Sequence, residues 1–331
     1  MQSKFILHVL FLLVFTALLF CANLIFGSVT LSFSDLNNET SSLIFYKIRM
    51  PKAFTALCAG SALALCGMLM QTLFRNPLAG PYVLGVSSGA SLFVAMAVIL
   101  VNATGLGGNY LVGKTLVSVF SIAGALLVTV LILFVSKKTK NNITVLLVGI
   151  MLSQVLGAFQ GLIEFIASPE SLKSFVIWGM GSVSGTSGND LFVLMPACFI
   201  VFVSCFFLAK PLNAILLSES YAQNLGVNVN QLRTVVIIMT AILTGLITAF
   251  CGPIAFVGLS VPIASRLLFR TSSQLHQMIY CILLGGIILL LCDTICQLLS
   301  NSFALPINTV TTLVGSPFVI YLLFKSKLIG Q

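Results

Sequence analysis

Leu116-Val117-Ser118-Val119-Phe120-Ser121-Ile122-Ala123-Gly124-Ala125-Leu126-Leu127-Val128-Thr129-Val130-Leu131-Ile132-Leu133-Phe134-Val135 is a run of twenty residues with no ionisable side chain, closed by Ser136 and the pair Lys137-Lys138. Roughly 20 mostly apolar residues are what a helix needs to cross the hydrocarbon core of a bilayer. The apolar residues occupy consecutive positions. A strand of an outer-membrane barrel would be about 10 residues long and would alternate polar with apolar. The run therefore predicts a helix that is apolar all round, and the lysines mark where hydrocarbon gives way to water.

Runs of the same kind recur along the chain. The predicted spans are 5–27, 53–74, 82–101, 111–136, 143–166, 190–209, 232–251, 254–269, 276–299 and 307–324, an all-α, polytopic membrane protein of about ten transmembrane helices. The eighth is short and crowded with Gly252, Pro253, Gly258 and Pro262. Broken segments of this kind are tolerated in membranes where protein or an aqueous cavity covers their backbone. Composition agrees, with 59% hydrophobic and 7% charged residues against about 25% charged in a soluble domain. The first run, Phe5 to Phe26 after Lys4, is longer than the 7–15 residue core of a signal peptide and predicts a retained first span.

An even number of spans places both termini on one side, and the basic residues choose the side. With the N-terminus in the cytoplasm, Lys4, Arg75, Lys137, Lys138, Lys140, Lys210, Arg233, Arg266, Arg270, Lys325 and Lys327 fall inside, while Lys47, Arg49, Lys52, Lys114 and Lys173 fall outside, eleven against five. That is the bias of cytoplasmic loops towards Lys and Arg. The net charge of +9 is thereby accounted for, since no aromatic-interleaved basic groove for nucleic acid is visible. Most of the nine cysteines lie within apolar runs and read as small hydrophobes. The one-turn spacing of Cys292 and Cys296 is a weak signal for metal, and neither His8 nor His276 has ligand spacing.

No water-soluble domain interrupts the spans, so 1–331 reads as a single transmembrane permease domain. The longest polar stretches are 28–48 and 168–189 outside and 211–231 inside. There is no GxxxxGK[ST] phosphate loop, so this chain does not hydrolyse ATP by that machinery, and no residue is a candidate for catalysis, cofactor binding or metal ligation. One echo is visible. Gly80-Pro81-Tyr82-Val83-Leu84-Gly85 and Gly252-Pro253-Ile254-Ala255-Phe256-Val257-Gly258 begin spans three and eight on opposite faces, as an inverted repeat would place them.

Several residues stand out for function. Between spans two and three, Asn76, Pro77 and Pro81 make a tight re-entry, since proline lacks an amide donor and biases its predecessor away from helix. Gly85, Ser87, Ser88, Gly89 and Ala90 follow as a face of small side chains, as do Gly60, Ala64 and Gly67 before it, with Gln71 beyond them. Small faces serve close helix packing, and they equally suit the lining of a translocation path. Gln71 needs a neighbouring helix or water. Asp293 and Glu164 are embedded carboxylates, functional suspects in a membrane, and they support an alternative reading as an ion- or proton-coupled secondary transporter. In 211–231, Leu216, Leu217, Ala222 and Leu225 are apolar residues of a cytoplasmic loop that need covering by a partner or by the chain's own helix ends. Two short helices are expected there, broken at Gly226, with Ser218 or Ser220 as an N-cap. Arg49 and Lys52 share a helix face and suit either lipid headgroups or the carboxylates of an extracytoplasmic partner.

Four ordered blocks carry a resemblance. They are Arg49-Met50-Pro51-Lys52 through Gly60, Gly67, Gln71 and Arg75-Asn76-Pro77-Leu78-Ala79 to Leu84-Gly85-Val86-Ser87-Ser88-Gly89-Ala90; Ser220-Tyr221-Ala222 with Leu225-Gly226-Val227; Gly252 to Leu259 with Pro262 and Arg266; and Leu305-Pro306, Thr311 and Gly315-Ser316-Pro317-Phe318. Over nearly the whole chain this resembles the FecCD family, permease subunits of ATP-driven (ABC) importers for iron–siderophore complexes, haem and vitamin B12. The resemblance implies the type II ABC importer permease fold in a bacterial cell inner membrane, used as a homodimer or a pair of similar permeases.

It further implies two cytoplasmic ATPase subunits, which hold ATP and Mg, docked on Leu216, Leu217, Ser218, Glu219, Ser220, Tyr221, Ala222, Leu225, Gly226 and Val227. An extracytoplasmic substrate-binding protein would meet Arg49 and Lys52. The path would run between two permeases, lined in part by spans five and ten and by 85–90. Three positions depart from the pattern: Ile263 where histidine is common, Ala304-Leu305-Pro306-Ile307-Asn308 in place of Glu-Leu-Pro-x-Gly, and Gln297 where arginine is common.

Overall fold

A computed structural model describes residues 2–27, 39–104, 110–139, 142–299 and 305–329. Most of polar segment 28–48, together with Lys140 and Ala304, lies outside the described residues, as do the side chains of Lys325 and Lys327. Among the described residues the regular structure is helical: α1 (Gln2–Ile25), α2 (Glu39–Ile44), α3 (Met50–Leu73), α4 (Val86–Ala103), α5 (Tyr110–Lys138), α6 (Asn142–Ile166), α7 (Pro169–Gly179), α8 (Gly188–Phe207), α9 (Ala209–Leu217), α10 (Glu219–Asn224), α11 (Val229–Cys251), α12 (Val257–Phe269), α13 (Gln274–Leu299) and α14 (Ile307–Ile329). Eight helical segments among the described residues are long and apolar enough to cross a membrane. The expected spans 254–269 and 307–324 correspond to shorter apolar stretches, Val257–Phe269 and Ile307–Tyr321. The protein is an all-α, polytopic membrane protein.

Two polar segments, 28–48 and 168–189, turn out more helical than their composition predicted, and in a third a break is displaced. Span 53–74 lies in a continuous helical segment from Glu39 to Leu73. A π-helical turn, Phe45–Arg49, joins α2 to α3, with the Met50 amide donating to the Phe45 carbonyl. Pro51 explains the wide turn, because its ring collides with the carbonyl four residues back in a regular helix. Within 168–189, α7 starts on Ser168, whose hydroxyl accepts from the Ser171 amide, with Pro169 at the first helical position. Both are favoured helix starts. In 211–231 the two short helices are present, but the break between them falls at Ser218. Gly226, at φ +82°, instead separates α10 from α11.

The chain forms two compact units. The first comprises Met1–Met68, Ser182–Asn213 and Ile254–Gln331. Here α13 packs on α1, α12 and α14, and α3 approaches α12 and α13 through glycines. A Cβ on Gly60 would overlap the Gly285 carbonyl, and one on Gly67 would overlap the Gly258 carbonyl. Backbones in that contact leave no room for a side chain, as in other membrane helix pairs. Ser61 adds a bond from its hydroxyl to the Ile282 carbonyl, 2.7 Å.

The second unit comprises Leu69–Gly181 and Ala214–Pro253. Its centre is α4, which packs on α5, α6, α7 and α11. Gly89 abuts Gly124 of α5, and Val94, Ala95, Val98 and Phe175 form a core covered by Val117, Ile163 and Trp178.

The two halves of the sequence echo have similar joints. After α3 the chain passes Arg75 (φ +49°), then Pro77 and Pro81, and enters α4 from Gly85 (φ +76°). After α11 it passes Gly252 (φ +70°) and Pro253 and enters α12 from Phe256 (φ +66°). Each joint has a left-handed residue at its start and another just before the next helix. Phe256 takes this conformation despite its bulk, which makes it a strained position.

Candidate functional site

The elbow of α9 and α10 exposes Leu216, Leu217, Tyr221 and Leu225 within ten residues. Ser218 is extended between the two helices, and its hydroxyl accepts from the Tyr221 amide at 2.9 Å. This is a standard N-cap, and it fixes the angle at which α10 leaves α9. Leu217, Tyr221 and Leu225 are 64%, 46% and 60% exposed, and Leu216 is exposed as well. Ser220 and Gly226 are exposed, Ser218, Glu219 and Val227 are half-buried, and Ala222 is fully buried. Ala222 therefore belongs beneath the elbow, where Val227 closes the turn by donating its amide to the Ala222 carbonyl at 3.0 Å.

Two arginines reach the elbow. Arg75 makes a long 3.5 Å contact with the Leu217 carbonyl. Arg233, one turn into α11 and 1% exposed, donates to a Glu219 carboxylate oxygen at 3.4 Å and to the Thr139 carbonyl at 3.2 Å. Thr139 follows the last residue of α5, where unpaired carbonyls and the helix dipole favour a cation. Sequence inspection placed Arg233 only as an orienting charge. Its partners lie 14 and 94 residues away, so no local pattern reveals them.

Arg49 and Lys52 are turned into the chain. Arg49 is buried and donates to the Leu24 and Ile25 carbonyls, both at 2.7 Å, which caps the C-terminus of α1 with a cation. Lys52 forms an ion pair with Asp293 at 3.0 Å, their side chains 13% and 3% exposed. The second Asp293 oxygen accepts from Asn23 at 2.9 Å and from Gln297 at 2.7 Å. Asn23 also donates to the Thr294 hydroxyl. A buried carboxylate is tolerated when a cation and hydrogen bonds replace its water, and Asp293 has both. Gln297 thus has a local task, one turn along α13 from the acid it serves.

The small residues of the sequence lie at helix contacts. Gly60 and Gly67 face α13 and α12. Gly85 lies against Ser153 and Gly149 of α6, and Gly89 against α5. Gln71, Ser87 and Ala90 are buried and Ser88 is half-buried. Asn76 accepts from the Leu78 amide at 2.9 Å, an Asx turn that shapes the re-entry around exposed Pro77. The second embedded carboxylate, Glu164, accepts from Gln160 one turn earlier on α6, 2.8 Å. Among the described residues no cluster of His, Cys, Asp and Glu could hold a metal ion.

A model of the FecCD transport family matches residues 12–325. A Helicobacter pylori protein named "Probable iron chelatin transport system permease protein" is 32% identical over 294 residues, 88% of this chain and 86% of the relative. The vitamin B12 import system permease protein BtuC of Yersinia enterocolitica is 35% identical over 291 residues, 88% of this chain and 84% of the relative. Among solved structures, an ABC transporter assigned to the metal-chelate type, in an inward-facing conformation, superimposes with a TM-score of 0.84 at 28% identity, covering 96% of this chain and 98% of that one.

Proposed function

Because this chain belongs to the FecCD transport family, we propose that it is the membrane permease subunit of an ABC importer for an iron–siderophore, haem or cobalamin-type chelate. It is not itself an enzyme. ATP hydrolysis takes place in partner subunits, and the permease converts their closure into alternating access. Family membership stands in place of the secondary-transporter alternative. Both carboxylates on which that alternative leaned are engaged within the chain, Asp293 by Lys52 and Glu164 by Gln160.

The finer assembly is part of the proposal. It has ten spans over 1–331 as one permease domain, both termini cytoplasmic in a bacterial inner membrane, and a second permease copy beside it. Two ATPase subunits dock on the elbow, and a binding protein docks outside. The exposed Leu217, Tyr221 and Leu225 on a capped, rigid elbow carry the ATPase assignment, since three large apolar side chains facing water in one short segment call for a protein cover. On the outer side, docking of the binding protein is assigned to Lys52, with 13% of its side chain exposed, and to Arg49 beneath it. Identity to iron-chelate and B12 permeases is nearly equal, so the cargo class is proposed only as far as a bulky chelate.

The test is co-purification. Leu217→Asp with Leu225→Asp is expected to abolish retention of the ATPase subunits while leaving membrane insertion intact. Full retention removes the elbow from the docking site. Uptake into proteoliposomes is expected to need ATP and to ignore a proton or sodium gradient.

A further inference from the structure

Arg233 ties together three elements that the docking proposal needs to move together. Its guanidinium reaches Glu219, the first residue of α10, and the carbonyl of Thr139 just past the end of α5, while its backbone belongs to α11. The planar fork of arginine serves the two acceptors from two different nitrogens, Nη2 on Glu219 and Nη1 on Thr139. The far end of α10 is fixed as well. Gly226 at φ +82° turns the chain, the Val227 amide returns to Ala222, and the Asn228 side chain caps α11 by accepting from the Gln231 amide at 3.1 Å. Thus α10 is clamped to α11 at both ends, by Arg233 and by the Gly226 turn, and α11 itself packs on α5.

We infer that Arg233 is the positioning residue that carries displacement of the elbow into α5 and α11, so that a push on α10 moves both spans instead of bending the loop. The inference rests on the docking of an ATPase at the elbow. A buried cation suits this task. At 1% exposure it has no water to turn to, so the contact resists being exchanged for solvent. Glu219, a third exposed, lies on the docking side of the same ion pair and links the surface to the interior.

The experiment is hydrogen–deuterium exchange on the full complex of permease and ATPase in lipid nanodiscs, ADP-loaded against ATP–vanadate-trapped. In the wild type, trapping is expected to slow exchange at 216–225 and also at 134–139 and 229–236, by about fivefold or more. In Arg233→Met the nucleotide-dependent slowing is expected to remain at 216–225 and to vanish at 134–139. Arg233→Lys, which keeps the charge but has one nitrogen where the guanidinium has two on separate acceptors, is expected to restore part of it.

An Arg233 that only stabilises the fold would raise exchange equally in both nucleotide states and leave the difference between them intact, and that result overturns the inference. If Arg233→Met does not assemble, Glu219→Gln decides, because it keeps the Thr139 bond and removes the ion pair. Its nucleotide-dependent slowing at 134–139 is expected to be lost as well, and persistence there overturns the inference. Absence of any ATPase footprint on 216–225 in the wild type is a different failure, that of the docking assignment itself.

Discussion

Lys52 and Arg233 are both cations withdrawn from solvent, each paired with one carboxylate, yet their surroundings differ. Lys52 ends in a closed network, where Asp293 is 3% exposed and both its oxygens have partners from α1, α3 and α13. Arg233 ends in an open one, where Glu219 is 33% exposed and sits on a six-residue helix. A closed network holds helices in one arrangement, because breaking any member strands a charge. An open one joins the interior to a surface that a partner can push. The same chemistry thus serves as an anchor in one compact unit and as a linkage in the other.

The contrast can be broken most forcefully at Lys52. Lys52→Met leaves Asp293 buried with no cation, an expected loss of about 3–5 kcal/mol read as a lower melting temperature of the detergent-solubilised protein. Adding Asp293→Leu is expected to recover most of the loss, because an apolar pair of similar volume has no charge to strand. A double variant no better than the single one would show that the network is more than an ion pair.

Arg233→Met is expected to cost less, about 1–2 kcal/mol, because Glu219, a third exposed, can turn to water. Its larger effect is on coupling. ATP hydrolysis by the complex is expected to continue while uptake driven by it falls.

Glu219→Gln follows, with an expected cost within about 1 kcal/mol and the same loss of coupling. The smallest effect is that of salt. Raising ionic strength to about 1 M shortens the screening length to roughly 3 Å, which is expected to weaken Arg233–Glu219 slightly and leave Lys52–Asp293 unchanged. A double-mutant cycle on each pair at low and high salt measures both. Equal salt dependence would erase the distinction.

What was legible in the sequence follows the same division between local and distant. Apolar runs are local, so each predicted span has a helix at its place, including the short α12 with Pro262 inside it. Capping is local too, and one of the two serines offered for the elbow, Ser218, is the cap. The exposed Leu216, Leu217 and Leu225 were visible because apolar residues in a polar segment are conspicuous, whereas Tyr221 beside them entered only through the family resemblance. Ala222, of the same composition, is buried, and only the three-dimensional turn separates it from its neighbours.

The charged residues were the least legible. Arg49 and Lys52 share a face that suits a partner's carboxylates, yet their acceptors are α1 carbonyls and an aspartate 241 positions further along the chain. Gln297 read only as a departure from a common arginine because its bond to Asp293, four residues earlier, matters only once Lys52 and Asn23 are also present. The extension of α3 back to Glu39 was hidden for a related reason, since polarity marked 39–49 as loop while Arg49 found its acceptors inside the protein.

The bond between Asn23 and Asp293 joins residues 270 positions apart. During synthesis at about 5–20 residues per second, α1 waits for roughly a quarter of a minute to nearly a full minute before the helix that satisfies Asn23 has been made. Through that interval α1 rests largely against lipid, as a helix apolar on most faces and largely exposed even in the finished protein is suited to do. Asn23 itself lies in the last turn, within reach of the headgroups. The N-terminal span is thus composed for the order in which the ribosome delivers its neighbours, as well as for the place it finally takes among them.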